Sequence, residues 1–436
     1  MSTRTRSSLL ALLTTSLMLL AWGISPSATA EPATSVSYPT TATATRYTGL
    51  AFDTCTAPTA AQMTAWKASP YRAVGVYIGG ANRTCAQPQL TAAWVTAVAR
   101  MGWRIVPVYM GLQAPCTFRP NAQKISPSLA ASQGTSQAAD AITKAKALGL
   151  LPGSAIYGDM EHYDASNASC RTTVLAFLSA WTKELHRQGY VSAVYAHISS
   201  GALHLSQVYG STAYARPDAV WIARWDLSSA LTGWAGIPNE QWATGQRAKQ
   251  YRGDHAETYG GVRLNIDNDR FDAPVATVAY PWTVTSTTPL NARRAPSSSA
   301  AVATSYAPHS VVQVICQAPG TKVGTTSVWN KLSNGTYVTD YYVSTPSNTT
   351  YTAPIPRCGY PYQTTTSLSR RSGPSTSYGV LGTLPTGALA WVACQGPGSK
   401  VGTTAVWDRL TDGSWVSDYY VANPSNTTYS GPAPRC

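Results

Sequence analysis

Asp159 and Glu161 stand two residues apart in the run Ile156-Tyr157-Gly158-Asp159-Met160-Glu161-His162. Strand side chains alternate between faces, so both carboxyls point to one side, about 6.5–7 Å apart at the backbone. Two carboxyls so placed suit work on a glycosidic bond, one supplying a proton and the other stabilising the cation-like centre. Two further acids close apolar runs: Asp53 in Phe52-Asp53-Thr54-Cys55 and Asp267 in Leu264-Asn265-Ile266-Asp267-Asn268. Four acids facing one opening repel, which raises at least one pKa and keeps a proton in reserve. A single acid at a strand end is more often a helix cap or an ion-pair partner. The argument rests on four at matched ends.

By the same alternation Tyr77, Tyr109, Tyr157, Tyr195, Trp221 and Trp225 are assigned to the acid-bearing face, with Trp221 deeper and in the core. Tyr77, Tyr109, Tyr157, Tyr195, Trp225 and Tyr251 are the candidate sugar-binding residues, since rings stack on aromatic faces and tyrosine hydroxyls reach sugar oxygens. Tyr and Trp, 25 and 14 residues against 4 Phe, are in keeping with that use. The six histidines are scattered without a His-Glu-x-x-His motif, and no Gly-x-Ser-x-Gly elbow is present. No metal or other cofactor is therefore expected, and nucleophilic serine chemistry has no support.

These side chains need a scaffold. Apolar strand-like runs at 47–55, 71–80, 103–111, 154–161, 190–198, 219–226, 248–251 and 262–267 alternate, over the first six, with helix-period stretches at 60–68, 91–101, 135–148, 171–187 and 201–208. Such alternation means a parallel sheet covered by helices. Eight strands over roughly 240 residues fit a TIM-like (β/α) barrel, whose active groups gather at the C-terminal strand ends. The segments shorten after the fifth helix, so the last helices are expected to be reduced or missing. A doubly wound open sheet is the alternative, but no Gly-x-Gly-x-x-Gly follows the first strand.

The rest of the chain sets the context. Arg4 and Arg6 precede an apolar run that ends near Ala28-Thr29-Ala30, which reads as a signal peptide over residues 1–30, followed by a linker at 31–45. No later stretch is long and apolar enough to span a bilayer. The expectation is a secreted or wall-associated protein. Its formal charge of +13 then favours anionic wall polymers over nucleic acid. None of the eight cysteines forms a Cys-x-x-Cys pair, and disulfides suit an oxidising compartment. Cys316 and Cys358, and Cys394 and Cys436, are each 42 residues apart. The equal spacing marks a repeat: Cys316-Gln-Ala-Pro-Gly-Thr-Lys-Val-Gly-Thr-Thr returns 78 residues later as Cys394-Gln-Gly-Pro-Gly-Ser-Lys-Val-Gly-Thr-Thr. Each copy reads as a small antiparallel barrel with its own staple. Cys55, Cys85, Cys116 and Cys170 follow successive barrel strands, and joining adjacent loops gives Cys55–Cys85 with Cys116–Cys170.

Two resemblances add to this reading. Arg371-Ser-Gly-Pro-Ser-Thr-Ser-Tyr378, Leu381-Gly-Thr-Leu-Pro-Thr-Gly387 and Gly413-Ser-Trp-Val resemble bacterial SH3-like domains, which implies wall binding. The ordered series Gly49-Leu-Ala-Phe-Asp-Thr-Cys55, Val76-Tyr-Ile-Gly-Gly80, Ile105-Val-Pro-Val-Tyr109, Tyr157-Gly-Asp-Met-Glu161, Trp221-Ile-Ala-Arg-Trp225, Gln250-Tyr251 and Asn265-Ile-Asp-Asn268 resembles the actinobacterial glycoside-hydrolase-like barrel, domain-of-unknown-function family 1906. That family is similar in turn to the family 25 lysozymes. The resemblance implies catalytic positions at Asp53, Asp159, Glu161 and Asp267, with Glu161 as general acid. The expectation is a monomeric lysozyme-like hydrolase of peptidoglycan or another wall glycan. It has a barrel over 46–285 and SH3-like domains over 286–359 and 360–436. The rival is a non-catalytic glycan-binding protein on the same barrel.

Overall fold

The computed structural model describes residues 44–436 apart from residues 244, 432 and 434. The expected signal peptide and most of the linker lie outside the described residues. Eight strands close a barrel in chain order: β1 (Thr45–Asp53), β2 (Ala73–Gly79), β3 (Arg104–Tyr109), β4 (Ala155–Met160), β5 (Val191–His197), β6 (Ala219–Ala223), β7 (Arg247–Tyr259) and β8 (Val262–Val275). Helices α1 (Ala60–Ala65), α2 (Ala92–Arg100), α3 (Ala130–Ala147), α4 (Ala168–Arg187) and α5 (Leu203–Gln207) follow the first five strands. Thr59, Thr91 and Asn167 cap α1, α2 and α4 by accepting from backbone N–H groups of the first turn. Strands β1 to β7 are parallel.

The all-parallel sheet expected from the alternation is corrected at β8, which runs antiparallel to both β7 and β1. Gly260 and Gly261, with φ of 57° and 77°, turn the chain straight back. Two left-handed positions in succession make the tight hairpin whose twist matches its strands. The hairpin replaces the last crossover helix, as the shortening segments foretold.

The parallel strands are buried on both faces. Outside the barrel wall, Phe52, Trp66, Trp94, Trp103 and Trp181 pack between strands and helices. Inside, a ring of small residues (Ala51, Ala73, Ala155, Ala193, Ala219, Ala248) leaves room for Tyr157, Trp221 and Phe271. Those three rings meet edge to face at 5.1–6.1 Å between centroids.

Two curled six-stranded antiparallel sheets follow. The first holds β9 (Tyr280–Thr283), β10 (Leu290–Arg293), β11 (Val302–Tyr306), β12 (Val311–Val323), β13 (Thr326–Leu332) and β14 (Tyr337–Thr339). The second holds β15 (Tyr360–Gln363), β16 (Leu368–Arg371), β17 (Val380–Leu384), β18 (Leu389–Val401), β19 (Thr404–Leu410) and β20 (Trp415–Ser417). Their spatial orders, β11-β10-β14-β13-β12-β9 and β15-β18-β19-β20-β16-β17, are the same order read in opposite directions. Because β9 pairs with β12, the first small sheet begins before residue 285.

Leu389 and Trp391 of the second small sheet join the inner barrel cluster at the N-terminal ends of the parallel strands. There Gln246 Oε1 accepts from the Leu389 N–H at 3.2 Å, and Ala44 bridges to Gly359. The four disulfides are Cys55–Cys85, Cys116–Cys170, Cys316–Cys358 and Cys394–Cys436, with Cα separations of 5.7, 6.0, 4.9 and 5.0 Å.

Candidate active site

A cleft of about 240 Å³ opens at the C-terminal ends of the parallel strands. Asp53 ends β1, Tyr77 lies near the end of β2, Glu161 directly follows β4, and all three line it. Asp267 arrives by a different route from the one expected: it lies within β8, not at a strand end. Since β8 runs downward from its hairpin, the register Asp53↔Asp267 sets the two acids side by side at the mouth.

Gln250 on β7 holds this pair. Its Nε2 donates to Asp53 Oδ2 at 2.8 Å and to Asp267 Oδ2 at 3.1 Å. Its Oε1 accepts from the Tyr195 hydroxyl at 2.9 Å and from Trp225 Nε1 at 2.8 Å. All four bonds together allow one orientation of the amide. The backbone N–H of Asp254 donates to Asp267 Oδ1. A fifth acid, Asp269, is fully buried below and accepts from Trp221 Nε1 at 3.0 Å. Asp159 is also buried, and among the described residues neither of its carboxyl oxygens has a hydrogen-bond partner.

Burial is the main cause that lifts all five acids above the usual carboxylate range. After burial, Asp267 raises Asp53, and Glu161 raises Asp159. Asp53 and then Asp267 raise Asp269. The Arg119 guanidinium, 3.6 Å from Glu161, pulls Glu161 back toward ionisation. Each carboxyl of the cluster therefore holds its proton to a higher pH than a free carboxylate does. Glu161 is the member of the Asp159/Glu161 pair that reaches the cleft.

The aromatic residues divide. Tyr77 lines the cleft, and Tyr195 lies beneath it on Gln250. Trp225 stands at the rim with 61% of its surface exposed, its ring against Gly253, where an added Cβ would come within 2.1 Å of the indole. Tyr157 is inside the barrel but below the mouth, fully buried and donating to the Pro274 carbonyl at 2.8 Å. Trp221 is a core residue, as expected. Tyr109 is corrected: the register Tyr109↔Gly158 puts it on the face opposite Asp159, where its hydroxyl donates to Asp140 of α3 at 2.8 Å. Tyr251 is half-buried and does not line the cleft; burial and then the Asp269 charge raise its hydroxyl.

Sequence reasoning missed Asp269, Arg83 and Arg119, and gave Gln250 no role. Asp269 follows Asp267 by two, the alternation that joined Asp159 to Glu161. Arg83 and Arg119 sit beside Cys85 and Cys116, whose disulfides fasten the loops that carry them into the cleft.

Residues 64–271 match the family described as the Rv2525c-like, glycoside hydrolase-like domain. No curated protein sequence matches the chain. Among solved structures, the chain is similar to the Tat-secreted protein Rv2525c of Mycobacterium tuberculosis at 15% identity, covering 52% of this chain and 96% of that one, with a TM-score of 0.38. A family 25 glycosyl hydrolase from Bacillus anthracis matches at 14% identity over 53% and 93%, with a TM-score of 0.34. A muramidase from Acremonium alcalophilum matches at 17% identity over 51% and 92%, with a TM-score of 0.30. Over residues 64–271, a stretch that includes Asp159, Glu161, Gln250 and Asp267, the barrel is thus similar to the Rv2525c-like, glycoside hydrolase-like family.

Proposed function

We propose that this protein is a secreted cell-wall glycoside hydrolase, lysozyme-like in its action on peptidoglycan, whose two small sheets are SH3-like modules that hold it to the wall. The observation that carries this reading is the gathering of Asp53, Glu161 and Asp267 in one cleft at the barrel mouth, with Asp159 and Asp269 buried next to it. In the proposed reaction Glu161 protonates the leaving oxygen of a β-1,4 link. Asp53 and Asp267, oriented by Gln250, stabilise the oxocarbenium-like centre or position the acetamido group of an N-acetyl sugar. Asp159, buried beside Glu161, is raised first by burial and then by the Glu161 charge. Tyr77 and the exposed Trp225 are the sugar-facing aromatics.

A second reading has one observation in its favour. Arg119 beside Glu161 stabilises the carboxylate, which suits a glycan-binding groove better than a general acid. Release of reducing ends from purified peptidoglycan decides between them. A hydrolase releases them and a binding protein does not.

A further inference from the structure

A second groove, of about 360 Å³, lies at the opposite end of the barrel, along its seam with the second small sheet. Its lining includes Arg46 from β1, Arg104 from β3, Arg357 just before β15, Trp391 from β18 and Asp412. The acids here are already occupied. Asp272 is paired with Arg46, and Asp412 accepts from Arg370 at 2.7 Å and from Ser414. Arg104 donates to the Tyr280 hydroxyl at 2.8 Å, and Arg357 lies 4.0 Å over the Tyr351 ring. Among the described residues neither guanidinium forms an ion pair.

Guanidinium groups present planar forks that match phosphate oxygens, and several in one groove attract a chain of such groups more than a single ion. We propose that this seam binds a flexible polyanion of linked phosphate groups, with Arg104 and Arg357 as the main contacts. The site would then be built jointly by barrel and repeat, and not by either small sheet alone. It is separate from the cleft and does not depend on the hydrolase reading, since it needs no glycan cleavage.

The test is binding of inorganic polyphosphate to the full secreted chain, measured at low and at physiological salt. Arg357→Gln and Arg104→Gln should each weaken binding about tenfold, and wild-type binding should fall steeply as salt rises. Arg187→Gln, on the exposed flank of α4, should bind as the wild type does. Arg357 is exposed, so its substitution leaves the fold intact, which a thermal melt checks. Absence of wild-type binding at low salt, or equal losses in all three variants, would overturn the proposal. Equally tight binding of polygalacturonate or of duplex DNA would also overturn it, as unselective charge attraction.

Discussion

Gln250 is the residue on which the geometry of the acids turns. Its amide is the only described donor to both Asp53 and Asp267, and its oxygen satisfies two buried or half-buried N–H and O–H groups. Gln250→Leu removes one hydrogen bond from each of the four partners, of which Asp267 keeps the Asp254 N–H. At about 1–3 kcal/mol per unsatisfied buried group, partly relieved by water, thermal unfolding should show a loss of at least 2 kcal/mol. Retention of wild-type stability would mean that the amide orients nothing. Arg119 offers a test of electrostatics. It favours the Glu161 carboxylate, so its removal raises the Glu161 pKa further. An acid that must be protonated then works to higher pH, and the alkaline limb of the pH–rate profile of Arg119→Gln should move upward. A limb that stays in place would take Glu161 out of that ionisation.

At the scale of elements, the strand–helix order was legible because β1 to β6 are short apolar runs; β7 and β8, of 13 and 14 residues, run well past the expected 248–251 and 262–267 because their outer halves are polar. The acids of β1 and β4 followed from strand alternation alone. What alternation within one strand does not give is the parity between strands. Tyr109 was misassigned for that reason, since only the β3–β4 register relates its face to that of Asp159. The direction of β8 was readable in Gly260-Gly261, a two-residue hairpin signal between strand-like runs. Gln250 was hidden because most of its partners lie far away in sequence, whereas Asp269 was within reach of the same alternation that joins Asp159 to Glu161. The repeats hold an internal comparison. Where the first sheet has Asn330 donating to the buried Asp340, the second has Asp408 facing Asp418. Gln395 Nε2 donates to both acids, at 2.9 and 2.8 Å. Burial and then the Asp418 charge raise Asp408 well above its usual range, and burial pushes Asp418 up to about 6. Raised folded-state values mean that the native sheet binds protons the unfolded chain has released. Stability is then fully present below the unfolded carboxylate pKa of about 3.9 and is lost as pH rises through the folded values. Asp408→Asn removes that loss. The variant should melt higher than wild type at pH 8 and nearly with it at pH 4. The same difference at both values would contradict the carboxyl pair.

At the scale of the whole molecule, the second small sheet is part of the barrel's packing. Trp391, 3% exposed, lies in the inner cluster with Phe271 and the ring of alanines. Trp391→Ala should cost about 3–5 kcal/mol, and barrel and sheet should still unfold in one transition. Two separate transitions in the wild type would show the sheet to be an appendage. The same packing means that a chain cut after residue 285 loses the base of its barrel, so wall binding by the small sheets is better tested with point variants. The proposed cleavage of glycan at the opposite end of the barrel is read most simply from release of reducing ends from purified peptidoglycan by wild type and by Glu161→Gln, across pH and from several wall sources. Turnover by the wild type is expected, with a fall of about 10²-fold or more in the variant and wall binding retained. No release by the wild type under any of these conditions, or equal turnover by the variant, would contradict the proposal.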